Sequence, residues 1–309
     1  MRSPPRVRRY SWEIALFGVT AIWGAAFPIV KCAVQRCSSA HTALGISLIK
    51  HPTTPLLFLS LRFAIAALLV GAVSMEALRG LTRRHLAIGG AIGLALCGGY
   101  IFQTLGLQRT TATNAGFLTG VYVILTPLFG AVFFRRLPSV STAVGAVLAF
   151  AGLLLLASRS GIGLSLGDGL VLLCAGLFAV HILLLGRYSA TVPLRALVVM
   201  QLAVVALATG VASAATEREP IPTNGGVWMA IVVTAVLASA LAFFIQSGAQ
   251  RFIPPTRAAV ILVMEAPFAA VFGFLMLGER LSGRGWVGAA LIVSGLLVAE
   301  LFAPEVEAL

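Results

Sequence analysis

Charge is the scarcest material in this chain. Only 10% of its 309 residues are Asp, Glu, Lys or Arg, where soluble domains carry about 25%. Hydrophobic residues make up 59%, and the mean hydropathy is +1.01. That leaves too little polar surface to cover a soluble globule, so most of the chain must face lipid. Acidic residues are rarer still, ten against 22 basic ones, for a net charge of +12. In a soluble protein such a balance suggests nucleic acid. Here the basic residues sit in short gaps between apolar runs, the usual membrane-protein placement. Nucleic acid is therefore not an expected partner, whereas the lipid bilayer is. Nearly all the basic residues are Arg, which reads as genome composition.

Cysteine is sparse too. None of the four stands in a CxxC-type spacing, so no metal site is expected. Cys97 and Cys174 lie in apolar runs and read as packing residues. Cys32 and Cys37 flank the start of a loop; separate thiols are favoured over a disulfide. The chain also lacks HExxH, GxSxG and a phosphate loop. Neither an enzyme nor a cofactor is expected; an acid–base pair of His181 with Glu265 is the one enzymatic arrangement left open.

What remains is a series of apolar runs. About twenty apolar residues cross the hydrocarbon core as a helix. Ten runs qualify, at 14–32, 56–75, 86–107, 112–134, 140–157, 169–186, 194–215, 226–249, 258–277 and 286–302. The first follows a basic stretch, MRSPPRVRRY, like a signal peptide, but its apolar run is longer, so a retained helix is favoured. With the N-terminus inside, 13 of the 22 Lys and Arg fall on the cytoplasmic side, eight on the other, and Arg62 within a span. That excess orients both termini to the cytoplasm.

The chain also repeats. At an offset of 143, residues 94–156 align without a gap on 237–299. Gln103 meets Gln246, Ala115 meets Ala258, and Phe129-Gly130 meets Phe272-Gly273. In the first spans of each half, Trp23 meets Phe178, an offset larger by 12, because the loop 34–55 is longer than its counterpart. Five spans per repeat is an odd number, so the second half must enter the membrane inverted. The expected fold is an all-α membrane protein of ten transmembrane helices, in two inverted five-helix repeats at 1–157 and 158–309. Inverted repeats are common in secondary transporters, with the site near midplane between the repeats.

Several motifs carry a family resemblance. They are WGAAFPIVK from Trp23, LRFAIAALL from Leu61, TNAGFLTGVYVILTPLFGAVFFRR from Thr113 and EAPFAAVFGFLMLGERLSGRGWVGAALIVSGLLV from Glu265. Over nearly the whole chain, the sequence resembles EamA-type members of the drug/metabolite transporter superfamily. The resemblance implies a multi-pass protein of the cytoplasmic membrane that moves a small metabolite, often outward. Its central cavity would come from spans one to four and six to nine, with spans five and ten in support. Two departures stand out: the long loop 34–55, and FFRRLPS at the end of span four where the second repeat reads LGERLS.

Polar residues inside apolar spans mark the candidate site, since polar groups facing lipid are costly. Residues three, four and seven apart share a helix face. Thr119, Tyr122 and Thr126 form such a stripe, as do Thr20, Trp23, Phe27 and Lys31. Tyr100, Gln103 and Thr104 cluster in span three; Ser239, Gln246 and Ser247 do so in span eight. Cavity lining competes here with interhelical hydrogen bonding. The candidate substrate or coupling residues are Glu265, His181, Arg62, Tyr100, Gln103, Tyr122, Gln246 and Trp23. Pro28, Pro127 and Pro267 interrupt spans and are candidate hinges, though fixed packing kinks explain them too.

Glu265 is the hardest to place, since a charge at the bilayer centre costs about 2.5–3.5 kcal/mol. It binds a cationic group or coupling proton, pairs with Arg62 to lock two helices, or caps backbone freed by Pro267. His181 suits proton traffic near neutral pH or is a packed hydrogen-bonding residue. Glu279 and Arg280 read as a solvated interface pair. The expectation is a metabolite transporter with a small zwitterionic or weakly polar substrate. A passive channel is the main alternative, and a homodimer is left open.

Overall fold

The computed structural model describes residues 6–37, 49, 51–135, 137–157, 165–217 and 220–302. Most of the loop 34–55, including His41 and Lys50, lies outside the described residues, as does the repeat junction at 158–164. Among the described residues every regular element is helical. In chain order these are α1 (Arg6–Val34), α2 (Pro55–Ala72), a short α3 (Met75–Leu78), α4 (Arg83–Leu107), α5 (Ala112–Thr119), α6 (Tyr122–Phe134) and α7 (Val140–Ala157). The second half holds α8 (Leu166–Tyr188), α9 (Leu194–Thr216), α10 (Gly225–Val233), α11 (Ala242–Ala249), α12 (Pro255–Leu262), α13 (Glu265–Leu277) and α14 (Gly283–Leu301). Between α10 and α11 the helix runs as a π-helical stretch, Thr234–Leu241.

Local chemistry sets the boundaries. Thr82, Thr111, Ser165, Asn224 and Ser282 each accept a backbone N–H of the turn that follows them, satisfying donors that a helix start leaves free. Pro55 and Pro255 open α2 and α12 at a position where no N–H is needed. The C-terminal ends of α6 and α13 turn through left-handed residues, Arg135 (φ 51°) and Gly278 (φ 68°). These two are repeat partners at the 143-residue offset. Glycine adopts that conformation freely, whereas arginine is strained by about 1–2 kcal/mol. The FFRR departure thus falls on a position whose backbone favours glycine.

Among the described residues, eight helical stretches are long and apolar enough to cross a membrane; Val140–Leu155 and Gly283–Ala299 are apolar but shorter. These two stand where spans five and ten were expected. Spans four, eight and nine, read as single helices, are interrupted instead. The fourth breaks between α5 and α6, the ninth between α12 and α13, and the eighth passes through the π-helical stretch. At the 143-residue offset, Ala112, Tyr122 and Phe134 fall on Pro255, Glu265 and Leu277, so the breaks recur at the same place in both halves.

The packing repeats as well. α1 lies along α13 as α8 lies along α6, and α4 meets α8 as α11 meets α1. α2 packs on α9, and α7 on α14. At the last crossing the backbones nearly touch: a Cβ on Gly145 would meet the Gly295 carbonyl, and one on Gly152 the Gly288 carbonyl, each at 2.5 Å.

Cys32 and Cys37 are joined as a disulfide at the C-terminal end of α1, against the expectation of separate thiols. The five-residue separation lets the chain fold back after Val34 and bring the Cα atoms to 5.3 Å, a distance a disulfide spans. Cys97 and Cys174 are free and buried.

Candidate functional site

The two broken helices meet near the middle of the bundle. Pro267 cannot donate to the carbonyl four residues earlier, and its ring crowds it; that residue is Val263, where α12 ends. In the other half the break falls at Gly120 and Val121, and a Cβ on Gly120 would touch Val263 and Leu153 at 3.1 Å. The two breaks therefore pack against each other. Each half-helix begins with a polar residue, Tyr122 for α6 and Glu265 for α13. A carboxylate in the first turn is favoured by the helix dipole, which offsets part of its burial. Pro28 and Pro127 lie within continuous helix.

The π-helical stretch supplies a second polar focus. The carbonyl of Ala238 accepts from Trp23 Nε1 at 2.9 Å and from Arg62 Nη2 at 3.2 Å. Arg62 Nε donates to Ser239 Oγ at 2.8 Å. The guanidinium also sits 5.1 Å from the ring centroids of both Phe63 and Tyr100, a cation–π contact worth about 2 kcal/mol when desolvated. A π-turn spoils the local register of backbone pairing, which lets one carbonyl face side chains; such turns recur at functional sites.

His181 belongs to a third group. Its Nε2 lies 2.9 Å from Gln201 Oε1, and Gln201 Nε2 donates to Ser247 Oγ at 2.9 Å. All three residues are buried, so this chain ties α8, α9 and α11 together. Gln103 Nε2 donates to Thr119 Oγ1 at 3.3 Å.

Trp23, Arg62, Tyr100, Gln103, Tyr122, His181, Gln246 and Glu265 all line one cavity, with Phe27, Phe178 and Phe243 among its apolar walls. Its volume is about 50 Å³, room for about four waters at 10–15 Å³ each. Three of the lining residues carry buried polar atoms outside regular hydrogen-bond geometry: Gln246 Oε1, and Tyr122 Oη and Glu265 Oε1, whose side chains lie beside each other. Incompletely paired buried polar groups are uncommon in folded proteins, and three on one small cavity mark a place where a solute or water completes the bonding.

The structure corrects two readings of the acidic residues. Arg62 takes its partners from α2, α4 and the π-helical stretch, and no ion pair joins it to Glu265. Glu279 is not a solvated partner of Arg280. Its carboxylate accepts Ala112 N at 3.0 Å and Thr113 N at 2.9 Å, capping α5 from across the bundle. Lys31 likewise leaves the cavity face and donates to the carbonyls of Thr110 and Leu107.

Sequence reasoning missed the π-helical stretch, the aromatic wall of Phe178 and Phe243, and Gln201. A lone amide in the apolar span 194–215 was a signal for Gln201, while a π-turn leaves no residue-type signature. Among the described residues, no group of three or more His, Cys, Asp and Glu is arranged to hold a metal ion.

The chain matches the profile described as the EamA-like transporter family twice, at residues 10–158 and 165–301. A protein of Archaeoglobus fulgidus named as an uncharacterized transporter is 32% identical over 296 residues, 96% of this chain and 87% of that one. A second uncharacterized transporter of the same organism is 28% identical over 224 residues, 69% of this chain and 74% of the other. A crystal structure superimposes with a TM-score of 0.72 at 21% identity, over 97% of this chain and 99% of that one; at that identity the likeness concerns the fold alone.

Proposed function

The chain belongs to the EamA-like transporter family, and we propose that it is a secondary transporter moving a small zwitterionic or weakly polar metabolite outward across the cytoplasmic membrane by alternating access. The observation that carries this reading is the cavity in which Arg62 and Glu265, a basic and an acidic side chain not paired with each other, share a lining with the polar ends of Tyr122 and Gln246. A solute bearing both a cationic and an anionic group satisfies both ends at once.

The proposed architecture is ten membrane helices in two inverted five-helix repeats, 1–157 and 158–309, with both termini cytoplasmic. It is supported by the recurrence of the broken helices at the 143-residue offset and by contacts that exchange between halves. The orientation is supported by the basic excess on the N-terminal side. A disulfide at the far end of α1 fits an oxidising compartment there. Glu265, Tyr122, Gln103, Gln246 and Trp23 are proposed to contact substrate, Pro267 to let the broken helix α12–α13 bend, and Pro127 to bend α6 beyond its own break. An intramembrane position for such breaks is typical of transporter sites, where loosened backbone faces a cavity and not lipid.

The test is an untargeted profile of compounds released by cells making the wild type or Glu265→Gln at matched membrane levels. A compound released by the wild type and lost in the variant supports the reading and names the substrate class. Unchanged release, or efficient export of a polyanion, overturns it. Flux of the released compound that saturates and follows an imposed gradient in vesicles separates a carrier from a passive pore.

A further inference from the structure

Two contacts outside the cavity occupy equivalent places in the repeat. Arg257, the third residue of α12, holds Glu13 of α1 at 3.1 Å, and both side chains are nearly out of water, at 6% and 8% exposure. Asn114, the third residue of α5, donates to Asp168 Oδ1 of α8 at 2.5 Å, and Thr110 Oγ1 donates to the same oxygen at 2.9 Å. Asn114 and Arg257 differ by the 143-residue offset. Glu13 and Asp168 differ by the same larger offset as Trp23 and Phe178. Each contact therefore joins the first helix of one repeat to the broken helix of the other, with an acid on the first helix in both cases.

The two contacts lie at opposite ends of the cavity. Lys31, near the C-terminal end of α1, donates to the Thr110 carbonyl beside Asp168, whereas Glu13 lies near the start of α1. Along α1 the separation from Glu13 to Lys31 is about 27 Å at 1.5 Å per residue, close to the hydrocarbon thickness of about 30 Å. Trp23, Ala26, Phe27 and Val30 line the cavity between them. With both contacts made, the cavity has room for only a few waters.

We propose that Glu13–Arg257 and Asp168–Asn114 are the two gates of the carrier, closing the cavity at the cytoplasmic and the opposite face, and that they part in alternation. The proposal rests on the transporter reading and adds to it which contacts separate. Opening at one face swings α12 away from α1; opening at the other swings α5 away from α8. Neither acid touches the cavity, so the gates act on access and leave the cavity lining intact. The cytoplasmic gate is an ion pair; the other is an amide and a hydroxyl on a carboxylate.

The test reads access without needing a substrate. In a chain with Cys97→Ala and Cys174→Ala, Gln103→Cys places one reporter thiol in the cavity, while Cys32 and Cys37 stay paired. Sealed vesicles of each orientation are treated with a membrane-impermeant, charged methanethiosulfonate. Glu13→Gln is expected to raise labelling from the cytoplasmic face by about fivefold or more, and Asn114→Ala to do so from the other face. The exchange Glu13→Arg with Arg257→Glu is expected to restore slow labelling. Rates that stay unchanged, or rise equally from both faces, overturn the proposal. If Glu13→Gln does not fold, Asn114→Ala is read alone against the same two outcomes. Flux is read on the chain with Gln103 in place: sided labelling with no flux in that chain keeps the gates and removes the transport reading, and flux there without sided labelling does the reverse.

Discussion

Replacing Glu265 by glutamine separates a residue kept for function from one kept for packing. Glu265 is 4% exposed, and its Oε1 lies outside regular hydrogen-bond geometry. Leaving a buried polar atom unpaired costs about 1–3 kcal/mol, more for a charged one, and an acid deep in the bilayer carries an insertion penalty of about 2.5–3.5 kcal/mol. Placement in the first turn of α13 returns up to about 1 kcal/mol through the helix dipole. Glutamine keeps the shape, removes the charge and gains an N–H able to donate to Tyr122, which lies beside it. The expected net change is a stabilisation of about 1–2 kcal/mol, using the lower end of these ranges because the cavity is polar. For a chain of this size that amounts to about 2–3 °C in Tm. The assay is thermal unfolding in detergent, followed by fluorescence, at matched protein concentration. A stabilised variant that no longer exports is the pattern of a site residue retained at the expense of stability. A variant whose Tm falls by several degrees refutes the reasoning: Glu265 would then be making a structural bond, with Tyr122 the partner at hand.

Further substitutions probe the frame around the cavity. Arg135→Gly relieves the left-handed backbone at the end of α6 and is expected to stabilise by about 1 kcal/mol, read as a higher Tm; Arg135→Ala, which keeps the strain, is the control. Glu279→Ala removes the cap from α5, with an expected loss of about 1–2 kcal/mol, and slower chemical unfolding than wild type would contradict it. Gly295→Leu places a side chain against the Gly145 carbonyl and forces α7 from α14. An expected loss of about 1–3 kcal/mol or more should show as reduced folded yield by size-exclusion chromatography. Gln201→Leu strands His181 and Ser247 and should cost about 1–3 kcal/mol. His181→Gln in that background should not lower Tm by the same amount again, because the two share one network.

Much of the architecture was legible because lipid imposes a one-dimensional rule. A helix that crosses a membrane must be apolar for about twenty residues, so the spans, their order and the 143-residue repeat could be read from composition along the chain. The same rule picked out the residues lining the cavity, since a Tyr, Gln or Glu inside a span must face protein or water. Their partners were not legible. Arg62 and Glu265 were natural candidates for each other, yet Arg62 turns to a carbonyl exposed by a π-turn, and backbone register at that level is set by packing against α1 and α2. Glu279 read as a solvated interface charge, and Glu217 drew no reading, yet both cap helices distant in sequence, Glu217 accepting Leu56 N and Leu57 N and Glu279 accepting Ala112 N and Thr113 N. The helix breaks were half visible: the prolines were there to see, but Gly120 opposite Val263 acquires meaning only when two chain segments meet. The sequence alone determined which residues must leave the lipid. Tertiary structure decided which of them meet, because each polar group takes the nearest partner that the packing of apolar helices brings within reach.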